Sequence, residues 1–229
     1  EKLCLGNMKK QIIKLASISL AILCFFSVAY AADPINITLK VYEGDTVLFN
    51  GPLTVTACSE SPEMIESLQF IVSGKCAVEQ SGLSNTWTWN YAPSGWLDEL
   101  GGYITTPDYS KSWGWFNNLN YGSVALNQHI LSGGEELLLT YNSFPLRISA
   151  SKTSGTVDDT ITFTAEEKST FDANYNMLWT PSSGATATIG IQSCTTIADG
   201  TCSIVLDTAG SLSAIASKTL YVPSASISI

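Results

Sequence analysis

The sequence predicts an exported chain of two modules, an α+β domain in which strands accompany one helix, followed by an all-β sandwich. Three observations predict it. A lysine-led apolar run opens the chain; one helix-period segment stands among strand-period segments before Phe144; and only short strand-like runs separated by turn residues follow Phe144.

The opening run reads as a secretory signal peptide. Lys9, Lys10 and Lys14 precede an uncharged stretch of 14 residues, Leu15 to Val28, which ends in Ala29-Tyr30-Ala31. A basic start, a short apolar core and an A-x-A site are what the export machinery reads, and the run falls short of the ~20 residues that span a bilayer. Residues 1–7, upstream of Met8, read as preceding the true start. Leu23 before Cys24 is too large for lipoprotein processing, so no lipid anchor is expected. The mature chain is expected to begin at Ala32, to lie outside the cytoplasm (secreted or at the cell surface) and to carry no transmembrane span.

Composition limits the partners. The 229 residues carry 11 Lys and Arg against 20 Asp and Glu, a formal net charge of −9. From Ala32 onward 7 basic residues face 19 acidic ones. A chain so acidic, without a basic cluster, repels phosphate backbones and excludes nucleic acid as a natural partner. Cys58, Cys76, Cys194 and Cys202 form an even set in an oxidising compartment, where thiols pair. Three connectivities are open, and proximity favours Cys58 with Cys76 and Cys194 with Cys202. Zinc is the rival explanation, but short-spaced ligand pairs are missing and His129 is the one histidine. No metal is expected.

Ile35, Ile37, Leu39 and Val41 alternate with other residues, the period of a half-buried strand. Glu43-Gly44-Asp45 turns the chain. Two further strands, Thr46 to Phe49 and Leu53 to Ala57, flank Asn50-Gly51, a hairpin signal because both residues tolerate positive φ. Ser61 and Pro62 open a predicted helix with Met64, Leu68 and Ile71 on one side, ended by Ser73-Gly74. A helix of ~11 residues is ~16 Å long, whereas bridged cysteines need Cα atoms ~4.4 to 6.8 Å apart. A Cys58–Cys76 bridge therefore requires the chain to fold back along that helix.

Between Thr86 and Tyr121 ten aromatic residues, including five of the six tryptophans, crowd into a segment broken by Gly and Pro. Ser132-Gly133-Gly134 turns into a last strand, Glu135 to Tyr141, and the module boundary is placed at Ser143-Phe144. Beyond it, Leu146 to Ala150, Thr160 to Ala165, Met177 to Trp179, Ala187 to Ile191, Cys202 to Leu206 and Ser213 to Val222 read as sandwich strands. Asp199-Gly200 between Cys194 and Cys202 suggests a hairpin closed by its own bridge.

The first module resembles the domain related to the C-terminal domain of transcobalamin, found in exported prokaryotic proteins. The residues that carry the resemblance are Val41-Tyr42-Glu43-Gly44, the helical segment Met64 to Ile71, Gly114-Trp115-Phe116-Asn117-Asn118, Tyr121-Gly122-Ser123, Val124-Ala125 and Leu131-Ser132-Gly133-Gly134-Glu135-Glu136-Leu137 with Tyr141. The family usually has Gly-Asp where this chain has Gly134-Glu135. The resemblance implies a β-grasp fold, a sheet wrapped on one helix, over roughly Ile35 to Tyr141. It also implies cobalamin or another corrinoid as a possible ligand by family alone, although the second cobalamin-binding half is absent. Phe144-Pro145-Leu146 onward resembles bacterial Ig-like modules through Thr160 to Ala165 and Ala198-Asp199-Gly200-Thr201. The expected organisation is thus residues 1–31 as leader, 32–143 as the β-grasp domain and 144–229 as the Ig-like domain.

Trp113 and Trp115 alternate with Ser112 and Gly114, so in a strand both face the same way, and Trp87 and Trp89 do likewise. Tryptophan faces stack on sugars or planar rings while Asn117, Asn118 and Tyr121 supply polar contacts; the competing role for these rings is to fill a core. Catalysis has little support. With one histidine, no G-x-S-x-G elbow and paired cysteines, no nucleophile and base assemble. Adjacent carboxylates such as Asp98-Glu99 and Glu135-Glu136 face opposite sides of a strand, which argues against a glycoside hydrolase. Asp158-Asp159 lacks the spaced oxygen ligands of a calcium loop, and Asn36-Ile37-Thr38 matches a glycosylation acceptor. The expected function is an exported binding module for a small molecule, glycan or surface protein, carried on an Ig-like spacer. A purely structural surface or adhesion protein is the alternative, with a secreted glycoside hydrolase as a third and less favoured class.

Overall fold

The computed structural model describes residues 32–58, 71–91, 94–174 and 176–229. The leader, and the predicted helix from Ser61 through Phe70, lie outside these residues. Strand β1 (Ile35–Glu43) buries Ile37, Leu39 and Val41 on one face. It returns as β2 (Thr46–Val55) through Gly44-Asp45, where Gly44 holds φ +57°, a conformation that costs glycine nothing. Asn50-Gly51 makes no hairpin, contrary to expectation. Both residues sit inside β2, paired with Lys40 and Leu39, because the turn has already been made at Gly44. Pro52 is tolerated there because β2 is the edge strand of its sheet.

Helix α1 (Gly74–Gln80) is the one α-helix among the described residues. It starts where a helix was expected to end. Ser73, in extended conformation, accepts from the Cys76 amide as N-cap, so its hydroxyl satisfies an orphan donor of a new helix. Ile71, expected on the earlier helix, has its backbone bridged to Cys58. Cys76, Ala77 and Val78 of α1 are buried, and Cys76 bonds Cys58 with Cα atoms 5.6 Å apart.

The first part of the aromatic segment forms a sheet of its own: β3 (Asn85–Tyr91), β4 (Ser94–Leu100) and β5 (Tyr103–Ile104), a meander in chain order. Strands β6 (Trp113–Asn117) and β7 (Asn120–Tyr121) form a hairpin, a single 3-10 turn follows at Leu126–Gln128, and β8 (Glu136–Tyr141) completes a five-stranded sheet in the order β2-β1-β8-β6-β7. β8 runs parallel to β1 and antiparallel to β6. Its run Leu137-Leu138-Leu139 is buried throughout, as a central strand covered on both faces requires. Leu137 and Leu139 join the core containing α1, while Leu138 and Phe116 face the opposite cluster.

The C-terminal lobe is a two-sheet sandwich. β9 (Leu146–Ala150), β10 (Thr160–Phe171), β11 (Met177–Pro181) and β14 (Thr201–Val205) form one sheet around the long β10; β12 (Thr186–Ile189), β13 (Gln192–Thr195), β15 (Ser213–Ser217) and β16 (Ile227–Ser228) form the other. Ile148, Ile161, Phe163 and Ile204 of the first sheet meet Ala187, Ile189, Ala214 and Ala216 of the second. The alternating burial of β15 shows the half-buried period directly. Cys194 and Cys202 are bonded, but not across a hairpin: β13 pairs with β12 and β14 with β10, so the bridge ties one sheet to the other.

The α+β, β-grasp expectation is overturned. The described chain is mostly strand, in four sheets with one seven-residue helix, and fits an all-β fold. The aromatic segment builds a further sheet with its first part and extends the five-stranded sheet with its second, rather than forming loops around a helix. Residues 33–229 cluster as one unit. Between the lobes, Tyr42, Phe116 and Leu138 pack with Met177 and Val222, and Lys168 Nζ donates to the Leu119 carbonyl at 2.6 Å.

Candidate functional site

A cleft of about 450 Å³ opens between β4 on one side and β6 with the segment Tyr121–Leu126 on the other. Its aromatic lining is Trp96, Tyr109, Trp113 and Trp115, with Tyr121 at its border. Alternation on β6 sends Trp113, Trp115 and Asn117 to one face and Gly114 and Phe116 to the other, and Phe116 is fully buried on the interlobe side.

Trp113 and Trp115 are half-buried and held. The Trp113 indole donates to the Tyr103 carbonyl at 2.9 Å, and its ring lies 5.3 Å from that of Tyr141. The Trp115 indole donates to the Val124 carbonyl at 3.1 Å. Gly122 lies against this ring so closely that a Cβ there would fall 1.9 Å from Trp115 Cε2. Against Trp115, the His129 ring lies tilted by 38° at 4.8 Å between ring centres and pairs through Nε2 with Glu135 Oε1 at 3.1 Å, while the Asn117 amide donates to Glu135 Oε2 at 3.1 Å.

Two rings of the cleft are open to solvent instead, Trp96 (55% exposed) and Tyr109 (69%), whereas Tyr121, paired with Phe116 across the β6–β7 hairpin, turns its ring to the opposite face of β6, edge-on to Phe116 and Phe171. Trp96 and Asp98 both line the cleft, Asp98 at a bulge of β4 that leaves it unpaired with β3, whereas Leu97 between them packs on the core. Asp98 accepts a hydrogen bond from the Thr88 hydroxyl on the neighbouring strand β3. Tyr109 sits in the left-handed region at φ +56°, unusual for an aromatic residue. Its loop is closed by the Thr106 amide donating to the Lys111 carbonyl at 2.9 Å and the Tyr109 amide to the Thr106 carbonyl at 2.8 Å. Hydrogen bonds from the Thr106 and Ser110 hydroxyls and from the Ser110 amide hold the Asp108 carboxyl down to about 2. A costly backbone angle here presents a ring that gains little burial in return, a pattern found where strain serves a site.

Of the residues singled out in the sequence, Trp113 and Trp115 line this cleft, and Tyr121 borders it with its ring turned to the other face of β6. Asn117 belongs to the His129–Glu135 cluster. Asn118 makes the β6–β7 turn at φ +47° and accepts from the Glu136 amide at 2.9 Å. Trp87 and Trp89 stack on each other with ring centres 6.4 Å apart, away from the cleft lining; Trp87 packs on the core and Trp89 covers Gly95. Trp96, Tyr109 and Asp98 were not foreseen as site residues. The signal for the first was present, a tryptophan set opposite Leu97 in a strand-period run.

The remaining acidic candidates are used structurally. Glu99 accepts from Ser84 and from the Gly102 amide, Glu136 pairs with Lys40 at 2.6 Å, and Asp159 accepts from the Thr156 amide. Asn36, which opens the Asn36-Ile37-Thr38 acceptor pattern, accepts from the Thr54 hydroxyl across the β1–β2 pair. Among the described residues no group of three or more His, Cys, Asp or Glu is placed to hold a metal ion. No helix among them is long and apolar enough to cross a membrane. The two disulfides fit an extracytoplasmic location. No protein-family model matches the chain, and no curated protein matches it significantly.

Proposed function

We propose that the chain is an exported ligand-binding protein whose site is the aromatic cleft of the N-terminal lobe, with the sandwich acting as an Ig-like spacer. The observation that carries this reading is the pairing of two locked rings, Trp113 and Trp115, with the solvent-exposed Trp96 and Tyr109 around one concavity. A cleft of this size suits a small molecule, and exposed aromatic faces beside a few polar groups are the usual furniture of such sites. Seryl and threonyl hydroxyls at Ser94, Thr105, Ser112 and Ser123 are available to orient a ligand.

The test is a screen of soluble glycans, planar heterocycles and small organic ions by tryptophan fluorescence and thermal shift. A ligand that binds the native state raises its melting temperature. Replacing Trp96 by Ala should abolish that response while leaving the melting temperature of the free protein nearly unchanged. A response that survives in Trp96→Ala would remove the cleft as the site. Export is tested by sequencing the N-terminus of the secreted protein, which should begin at Ala32.

A further inference from the structure

The charge pattern of the cleft narrows its ligand, on the reading that the cleft is a binding site. Its lining contains no Lys, Arg or His, and one carboxylate, Asp98. Aromatic side chains carry negative quadrupole potential on their faces, and four of them, Trp96, Tyr109, Trp113 and Trp115, line this carboxylate's cleft. The chain as a whole carries −9, so its long-range field draws cations and repels anions. An inorganic cation would demand several oxygen ligands in a compact shell, which rings cannot supply. A weakly hydrated organic cation gives up little water and gains from both the rings and the carboxylate.

We infer that the cleft binds an organic ammonium ion, methylated or quaternary at nitrogen, with the cationic head against Trp96, Tyr109, Trp113 and Trp115 and its charge balanced by Asp98. The cleft holds more volume than a trimethylammonium head needs, so the ligand's remaining apolar or hydroxylated body occupies the rest, beside Leu126 and the hydroxyls of Ser112 and Ser123. Trp113 and Trp115 are pre-positioned by their carbonyl hydrogen bonds, which limits the ordering cost of binding.

The experiment titrates the full exported protein with choline and with 3,3-dimethylbutan-1-ol, its uncharged carbon isostere, following tryptophan fluorescence at low and high salt. Choline is expected to bind at least tenfold more tightly than the isostere, and more weakly as salt rises. Asp98→Asn, whose side chain still accepts from Thr88, should weaken choline at least tenfold, as should Trp96→Ala, both with unchanged melting of the free protein. Equal binding of choline and its isostere, or an Asp98→Asn protein that binds choline normally, would overturn the inference. A neutral glycan that binds through Trp96 while choline does not would overturn the charge assignment and leave the cleft as a ligand site. Silence from choline, isostere and the whole screen above would overturn both.

Discussion

Trp96 and Trp115 share a cleft and a chemistry, yet different physical costs attach to each. Trp115 packs on the core, donates to Val124 and lies against Gly122. Its replacement by Ala should lower stability by about 3 kcal/mol, toward the low end for a tryptophan because the ring is half-buried. Trp96, largely exposed, should cost within about 0.5 kcal/mol when truncated. Chemical denaturation of the two variants checks this, and similar losses at both positions would mean that Trp96 is a core ring. Gly122→Ala is the complementary probe: the added methyl must push the Trp115 ring aside, an overpacking loss of about 1 to 3 kcal/mol with altered tryptophan emission.

At the scale of elements, the two disulfides act differently although both close short loops. Cys58–Cys76 pins α1 to the strand end of β2, and Cys194–Cys202 joins the two sheets of the sandwich. Removing either should cost about 2 to 3 kcal/mol by loop-closure entropy, measured on Cys→Ser pairs by denaturant unfolding. Non-reducing peptide mapping should return these two pairs, and a Cys58–Cys194 peptide would contradict the topology. The strand periods were legible where side chains alternate cleanly, as in Ile35–Val41 and Leu146–Ala150. Turn chemistry was not. Asn50-Gly51 signals a hairpin by local propensity, but pairing of β2 with β1 along its whole length outweighed it. Ser73-Gly74 reads equally as a helix end or a helix start, and the Cys76 amide decided it. The same limit applied to the site. Alternation on β6 placed Trp113 and Trp115 together, whereas the approach of β4 to β6 is a tertiary event that no local pattern announces, so Trp96 and Asp98 stayed hidden.

For the molecule as a whole, the cluster of Tyr42, Phe116, Leu138, Met177 and Val222 should make the lobes move as one body. Small-angle scattering should fit a single conformation, and an ensemble of interdomain angles would refute it. Acid should destabilise the molecule over a defined window. Hydrogen bonds hold Asp108 down to about 2 and lower Asp159, Asp172 and Asp199; burial raises Glu167, but bonds from Lys218, Ser182, Ser169 and Tyr221 outweigh it. Because these folded-state values are depressed, their stabilisation is complete above the ordinary carboxylate range and is lost as pH falls through the lowered values. The melting temperature should therefore decline from pH about 4 toward 2 and be flat from about 5 up to the tyrosine range, where ionisation of Tyr42, Tyr141 and Tyr221, held protonated by burial, lowers it again. The central claim, that the aromatic cleft binds an organic ammonium ion, is tested most directly by indole N–H resonances in a ¹⁵N spectrum of the protein titrated with choline. The account predicts shifts for Trp96, Trp113 and Trp115 and none for Trp179, which lies in the other lobe under Arg147 and Lys168; shifts confined to Trp179, or absent from all three cleft tryptophans, would contradict it.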